Sequence, residues 1–198
     1  DMVLRLSKIL NEWAADSKIE AVAIRGTDKN GNFGNFCAGG DIRFFHKACI
    51  DESADLGRFF TEEYKLNYLI FNYSKPYIAF MDGIVMGGGM GISQGASCRI
   101  VTERSKVAMP ETNIGLFPDV GGGYFLPKCP GFIGEYLGLT GQVLTGQQSL
   151  AANLADYAVN STKLENLWDL IESDSGLPSE RMKEFYLEVK GSSLNEDN

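Results

Sequence analysis

Two glycine-rich segments of the sequence are suited to holding a developing negative charge. The first spans residues 37–41 (CAGGD) and the second spans residues 87–91 (GGGMG). Each follows an apolar run typical of a β-strand, and glycine lets the backbone approach a ligand closely without strain. One free peptide N–H from each turn would make an oxyanion hole, which stabilises an enolate or a tetrahedral oxygen. The two turns therefore predict a site that polarises a carbonyl group.

Two carboxylates follow on a loop rich in proline and glycine. Glu111 ends the stretch AMPE at residues 108–111, and Asp119 lies within GLFPDVGGG at residues 115–123. A carboxylate beside a polarised carbonyl acts as a nucleophile on its carbon or as a base toward water. Oxyanion donors combined with a carboxylate pair predict acyl chemistry.

The single histidine, His46, restricts the alternatives. A zinc site with two histidines is excluded, and no G-x-S-x-G motif accompanies His46 as a serine hydrolase would need. We interpret His46 as a surface residue of the short helix after the first turn. The four cysteines lack metal-ligand spacing, and this favours a reducing, intracellular compartment. No metal site is predicted.

A nucleotide site is a weaker explanation for the glycine turns. The second turn follows a strand and opens a helix, but residues 83–95 contain no G-x-G-x-x-G pattern, and no glycine run continues into G-K-[ST]. Tight packing between a strand and a helix would explain either turn alone. It would not explain two turns together with a carboxylate loop.

Apolar periodicity predicts the elements that position these groups. Helices are expected over residues 2–13, 56–73, 88–95, 131–139 and 147–157, and one more helix is expected after residue 160. Strands are expected over residues 19–25, 76–81, 98–102 and 106–109. The alternation of strand, turn and helix predicts an α/β fold with a mostly parallel sheet.

Bulk composition excludes two classes of partner. The 198 residues carry a net charge of −8 without a basic run, which argues against binding to nucleic acid. No apolar stretch approaches the roughly 20 residues that a membrane helix needs. The hydrophobic fraction of 44% is typical of a globular domain.

Five motifs taken together resemble the crotonase superfamily, which includes the enoyl-CoA hydratases and isomerases. They are residues 36–42 (FCAGGDI), 75–76 (KP), 82–89 (DGIVMGGG), 108–111 (AMPE) and 115–122 (GLFPDVGG). Within the superfamily the sequence is most similar to the 3-hydroxyisobutyryl-CoA hydrolase branch. The resemblance runs in order from residue 1 to about residue 160.

The resemblance implies a crotonase-like spiral of ββα units that binds acyl-CoA thioesters, usually as trimers or hexamers. Residues 1–160 would form the acyl-CoA-binding core. Residues 161–198 would begin a C-terminal helical region with a frayed acidic tail. We also expect the chain to lack the N-terminal strands and the further C-terminal helices of this branch.

The same resemblance assigns roles to individual residues. The peptide N–H groups of Gly40 and Gly88 match the two oxyanion donors, and Glu111 matches the carboxylate that acts on the acyl group. The hydrolase branch adds Asp119 as a second catalytic residue. Glu63 matches a substrate-contacting glutamate of that branch, and an exposed surface charge is the alternative for it.

The function implied is hydrolysis of a short 3-hydroxyacyl-CoA, such as 3-hydroxyisobutyryl-CoA in valine catabolism. CoA arrives as part of the substrate, so no separate cofactor is expected. The location implied is a bacterial cytoplasm or the mitochondrial matrix. Two alternatives remain: an enoyl-CoA hydratase or isomerase, and a truncated non-catalytic binding or scaffold protein. Hydratases usually carry a second catalytic glutamate where this chain has Gly91, which favours the hydrolase.

Overall fold

Two β-sheets form the framework of the computed structural model, which describes residues 2–172 and 178–193. The strands are β1 (Val22–Arg25), β2 (Tyr77–Met81), β3 (Ile84–Met86), β4 (Cys98–Thr102), β5 (Lys106–Ala108), β6 (Leu144–Thr145) and β7 (Tyr157–Val159). The first sheet has the order β1-β2-β4-β7 with every pair parallel. In the second sheet β3 pairs in parallel with β5, and β5 pairs antiparallel with β6. The predicted α/β class with a mostly parallel sheet is confirmed.

Helices surround these sheets. They are α1 (Met2–Ala15), α2 (Ile42–Ile50), α3 (Asp55–Phe71), α4 (Gly88–Gly91), α5 (Gly122–Phe125), α6 (Ile133–Thr140), α7 (Gly146–Ala151), α8 (Leu164–Glu172) and α9 (Pro178–Ser192). Short 3₁₀ helices cover Glu111–Ile114, Leu126–Lys128 and Ser161–Lys163.

The central strand β2 is apolar throughout because both faces of the first sheet are covered. All five of its residues are buried, as a strand in a parallel sheet between helical layers requires. Tyr77 packs with residues of α1 and α3 on one face. Phe80 packs with residues of α8 and α9 on the other face. Helices therefore cover the first sheet on both faces, and β2 leads through residues 82–83 into β3, the strand that precedes the second glycine turn.

The segment after residue 160 packs directly on this sheet. Leu164 and Leu167 of α8 and Phe185 of α9 are fully buried against Phe80. The division at residue 160 into a core and a C-terminal helical region stays a prediction. The polar run of residues 192–198 is the part of this region that the sequence predicts to be frayed. Residue 192 ends α9 and residue 193 forms a bridge with Val159, whereas residues 194–198 lie outside the described residues.

The helix expected over residues 147–157 is wrong in its second half. Helix α7 ends at Ala151, Asn153 adopts a left-handed φ of 60°, and β7 then pairs in parallel with β4. The helix expected over residues 88–95 is also too long, since α4 contains four residues and turns follow it. In both places long-range packing overrides the local pattern.

Candidate active site

The two glycine turns lie side by side because residue 37 hydrogen-bonds to β3. The N–H of Cys37 donates to the Ile84 carbonyl at 2.9 Å, and the N–H of Met86 donates to the Cys37 carbonyl at 2.9 Å. A Cβ built on Gly39 would lie 3.3 Å from the Gly88 nitrogen. The structure therefore brings together the two turns that the sequence places far apart.

The predicted oxyanion donors have free peptide groups. Within residues 2–172 and 178–193, the N–H groups of Gly40 and Gly88 donate to no protein acceptor. The neighbouring N–H groups are engaged: Gly39 donates to Cys37 Sγ at 3.4 Å, and Gly87 donates to the Ala108 carbonyl at 3.3 Å. Since α4 is a single turn, its dipole adds little, and the peptide groups themselves must provide the charge stabilisation.

Glu111 lies at the second turn because of strand topology. Strands β3 and β5 run parallel with Met86 opposite Ala108, so the residues that follow each strand meet at one sheet edge. A Cβ built on Gly87 would lie 2.9 Å from Glu111 Oε1, and Gly87 has a φ of 52°. Only glycine allows both the positive φ and the close approach of the Glu111 carboxylate. Glu111 is 7% exposed, and its buried Oε2 has no hydrogen-bond partner among the described residues.

Glu63 approaches the same turn from helix α3. The buried face of α3 consists of Glu63, Leu66, Asn67 and Ile70. A Cβ built on Gly88 would lie 2.8 Å from Glu63 Oε1. Glu63 is 7% exposed, so the surface-charge alternative for this residue is wrong. Its helical phase with Leu66 and Ile70 was the sequence signal for burial.

Asp119 completes a cluster of three carboxylates. It is partly buried on the loop before α5, where Tyr64 Oη donates a hydrogen bond of 2.8 Å to its Oδ2. Tyr64 is a site residue that the sequence analysis missed. Burial, together with this hydrogen bond to Asp119, raises the pKa of Tyr64 above its ordinary value. The hydroxyl therefore stays protonated and continues to donate to Asp119.

Two of the carboxyl groups have strongly raised pKa values. Burial raises the pKa of Glu63 to about 7, with further contributions from the charges of Asp119 and Glu111. Burial also raises the pKa of Glu111 to about 7; its own backbone N–H opposes this rise, and the charge of Asp119 adds to it. Since buried carboxylates without a cation favour the neutral form, protons are retained in this cluster near neutral pH.

A large cavity adjoins the carboxylates. It has a volume of about 800 Å³ and lies between α3 and the loop of residues 117–124. Aromatic rings line much of it, from Tyr64, Tyr68, Phe71, Phe117 and Tyr124. Asp119 borders the same cavity, so the space beside the carboxylate cluster is large enough for a small organic group.

Position 91 is closed to a larger side chain. A Cβ built on Gly91 would lie 2.7 Å from Asn67 Nδ2 and 2.7 Å from Val120 Cβ. Val120 has a φ of 42°, an uncommon conformation for a β-branched residue that fixes the loop beside Gly91. The space that a second glutamate would need is therefore occupied by Asn67 and Val120.

We expect Gly91→Glu to destabilise the fold by about 1–3 kcal/mol, because the new side chain overpacks a filled space. Chemical denaturation followed by circular dichroism would measure the change. Gly123→Glu is the matched control, since a Cβ on Gly123 meets nothing within 4 Å. Equal stability of the two variants would contradict the packing argument.

The remaining candidates lie away from this cluster. His46 is exposed on α2, as predicted. In the part of the chain that the structure describes, no group of three His, Cys, Asp or Glu side chains is arranged to hold a metal ion. None of the described helices is long and apolar enough to cross a membrane.

Comparison with known proteins identifies relatives of this arrangement. A family model described as Enoyl-CoA hydratase/isomerase matches residues 1–196. The chain is 44% identical over 181 residues to "3-hydroxyisobutyryl-CoA hydrolase, mitochondrial" of Danio rerio, a match that covers 88% of this chain and 45% of that relative. It is 43% identical over 169 residues to "Small ribosomal subunit protein mS47" of Neurospora crassa, covering 84% of this chain and 32% of that relative.

Solved structures show the same architecture. A carnitinyl-CoA dehydratase from Mycobacterium thermoresistibile superimposes with a TM-score of 0.82 at 36% identity, covering 92% of this chain and 52% of that one. The chain spans less than half the length of the two curated relatives and about half of this crystal structure.

Proposed function

Because the chain belongs to the enoyl-CoA hydratase/isomerase family, we propose that it hydrolyses the thioester bond of a short 3-hydroxyacyl-CoA. The predicted crotonase fold and the resemblance to the 3-hydroxyisobutyryl-CoA hydrolase branch are confirmed by the family match and the similar proteins. The hydrolase activity itself is our inference. The observation that carries it is the position of Glu111. Its carboxylate lies beside the second glycine turn, which has the free N–H of Gly88, and the first turn, with the free N–H of Gly40, lies next to it.

In this proposal the thioester oxygen binds between the N–H groups of Gly40 and Gly88. Attack on the carbonyl carbon moves charge onto that oxygen, where the two donors stabilise it. Glu111 either attacks directly, releasing the CoA thiolate and leaving an anhydride that water opens, or takes a proton from the attacking water. Both routes give the free acid and the CoA thiol. CoA is part of the substrate, so the proposal needs no separate cofactor.

The other two carboxyl groups act on the substrate and on water. We place Asp119, held by Tyr64, where it orients the attacking water or the hydroxyl of the substrate. Glu63 contacts the bound ester beside Gly88, and in its neutral form it donates a hydrogen bond to this ester. This neutral form is available near neutral pH because the pKa of Glu63 is raised to about 7.

A thiol-release assay tests the proposed function. The chain is incubated with 3-hydroxyisobutyryl-CoA, with other short acyl-CoA esters and with crotonyl-CoA. Thiol release from the 3-hydroxy ester is the expected result. Loss of the enoyl absorbance of crotonyl-CoA without thiol release would instead identify a hydratase, the alternative that the filled space at Gly91 disfavours.

The rate of hydrolysis should rise as the pH approaches neutrality from below. Glu111 must be ionised to act as a nucleophile or a base, and its pKa is raised to about 7, so kcat/KM falls as the pH drops below this value. The midpoint belongs to the coupled Glu63 and Glu111 pair. Asp119→Asn removes a charge that raises both pKa values, and we expect it to shift the midpoint of the pH profile downward. A midpoint near pH 4.5 in the unmodified chain would contradict the proposal.

A non-catalytic scaffold is the second candidate function. The observation that favours it is the similarity to a protein named as a small ribosomal subunit protein. A folded chain that releases no thiol from any ester and that sediments with small ribosomal subunits would support this candidate. Thiol release by the isolated chain would argue against it.

Assembly and location are further parts of the proposal. Exposed apolar side chains concentrate between residues 114 and 139, at Ile114, Leu116, Phe117, Tyr124, Phe132, Ile133, Tyr136 and Leu139. Exposed apolar side chains in this number suit burial between subunits, and we propose a trimer or hexamer, which light scattering after gel filtration would detect. The name of the Danio rerio relative includes "mitochondrial", and we propose the mitochondrial matrix for this protein.

A further inference from the structure

Asn67 is a buried polar residue whose hydrogen-bonding capacity is unused. It is 5% exposed, and neither Nδ2 nor Oδ1 has a partner among the described residues. A buried amide without a partner is destabilising, so native structures contain few. A ligand that supplies the missing partner would explain why this side chain is an amide.

The surroundings of Asn67 show where such a ligand would lie. Asn67 Nδ2 lies next to Gly91, where a built Cβ would be 2.7 Å from this nitrogen and 2.7 Å from Val120 Cβ, so the space there is filled. Asn67 also borders the cavity between α3 and the loop of residues 117–124, together with Asp119 and Tyr64. Asn67 lies one helical turn after Glu63 on the same buried face of α3. Through Asp119 the cavity borders the carboxylate cluster.

The chemistry of the cavity restricts the ligand group. An anionic substituent would be repelled by Asp119 and by the charged forms of Glu63 and Glu111. The aromatic and apolar side chains that line most of the cavity fit a ligand group that is mainly apolar. A neutral hydroxyl both donates and accepts, and an amide side chain offers both functions. A small apolar group that carries one hydroxyl satisfies all of these conditions.

We propose that the Asn67 amide binds the hydroxyl of the acyl group and so selects 3-hydroxyacyl esters over unsubstituted acyl esters. This inference rests on the proposed function. Binding requires the amide to turn from Gly91 toward the cavity, which is a change in side-chain torsion. An ester without the hydroxyl leaves the amide unpaired, and the site therefore discriminates against it.

The test compares two esters that differ by one hydroxyl, 3-hydroxyisobutyryl-CoA and isobutyryl-CoA. Asn67→Leu keeps a similar volume and removes the amide. We expect kcat/KM for the hydroxy ester to fall by roughly 10–100-fold, the rate equivalent of one or two lost hydrogen bonds. The value for isobutyryl-CoA should change by less than about twofold. Thermal unfolding should show Asn67→Leu to be at least as stable as the unmodified chain, because a buried unsatisfied amide is gone.

The control is Asn72→Leu at the edge of the same cavity. Asn72 is exposed, and its Nδ2 already donates to the Tyr68 carbonyl at 2.8 Å. This variant should keep the preference of the unmodified chain. Parallel loss of activity toward both esters in Asn67→Leu would overturn the inference and mark Asn67 as structural. If the unmodified chain releases no thiol at all, the proposed hydrolase activity fails separately. Calorimetric titration of the unmodified chain with the two esters then tests the role of Asn67. Equal affinities for the hydroxy ester and the unsubstituted ester overturn this role.

Discussion

Glu111→Gln should reduce thiol release by roughly 10³-fold while leaving the affinity for the ester nearly unchanged. The carboxylate lies beside Gly87 at the second turn, and glutamine occupies the same volume without a nucleophilic or basic oxygen. A discontinuous assay that separates CoA from its ester would measure the residual rate. Calorimetric titration would measure binding.

Stability distinguishes a chemical role of Glu111 from a structural one. Burial raises the pKa of Glu111 from 4.5 to about 7, so the ionised form is less favourable in the folded state than in the unfolded state. The unmodified protein therefore loses stability as the pH rises through this interval. Glutamine carries no charge, and we expect Glu111→Gln to unfold at a higher temperature than the unmodified chain at pH 8. A variant that loses stability and ester binding together would show that Glu111 holds the loop in place.

Gly88→Pro should reduce thiol release by roughly 10²–10³-fold, the usual effect of removing one oxyanion donor. Gly88 is the first residue of α4, and its N–H donates to no acceptor among the described residues. Proline is well tolerated at the first position of a helix because that N–H is unpaired in any case. The substitution therefore removes the donor with little disturbance to the helix.

Gly88→Ala is the matched control because it keeps the N–H. Its Cβ would lie 2.8 Å from Glu63 Oε1, which is the end of a flexible side chain that can move. The ratio of the thiol-release rate of Gly88→Ala to that of Gly88→Pro then measures the contribution of the Gly88 N–H. Circular dichroism must show that both variants are folded. A folded and fully active Gly88→Pro protein would exclude this turn from the oxyanion site.

Local sequence signals predicted the elements that are long or apolar. The helical spacing of Leu66 and Ile70 predicts α3, and the continuous apolar run of residues 77–81 predicts β2. Strands β3 and β7 are short, and both form by pairing with distant strands, β5 and β4. The pairing partners of β3 and β7, rather than a local pattern of their own, decide their structure.

The sequence predicts those parts of the site whose role depends on the type of residue. It does not predict the residues whose role depends on which side chains pack around them in the fold. Glycine turns and the Glu111 carboxylate are visible in the sequence because few other roles require them in that combination. Asn67 and Tyr64 are ordinary helix residues until the loop of residues 117–124 packs against α3. Their roles arise from burial and from contact with Asp119 or Gly91, which periodicity alone does not identify.

The hydrogen bonds between residue 37 and β3 also set the free energy needed to take the oxyanion pair apart. Local opening of this contact would separate Gly40 from Gly88 without unfolding α3 or the central sheet. Native-state hydrogen exchange at the amides of Cys37 and Met86 reports that opening directly. Exchange as slow as that of the β2 amides would mean that the geometry of the two donors persists as long as the sheets themselves do. The pre-organisation of the site would then be a property of the folded state as a whole and would need no bound ester to establish it.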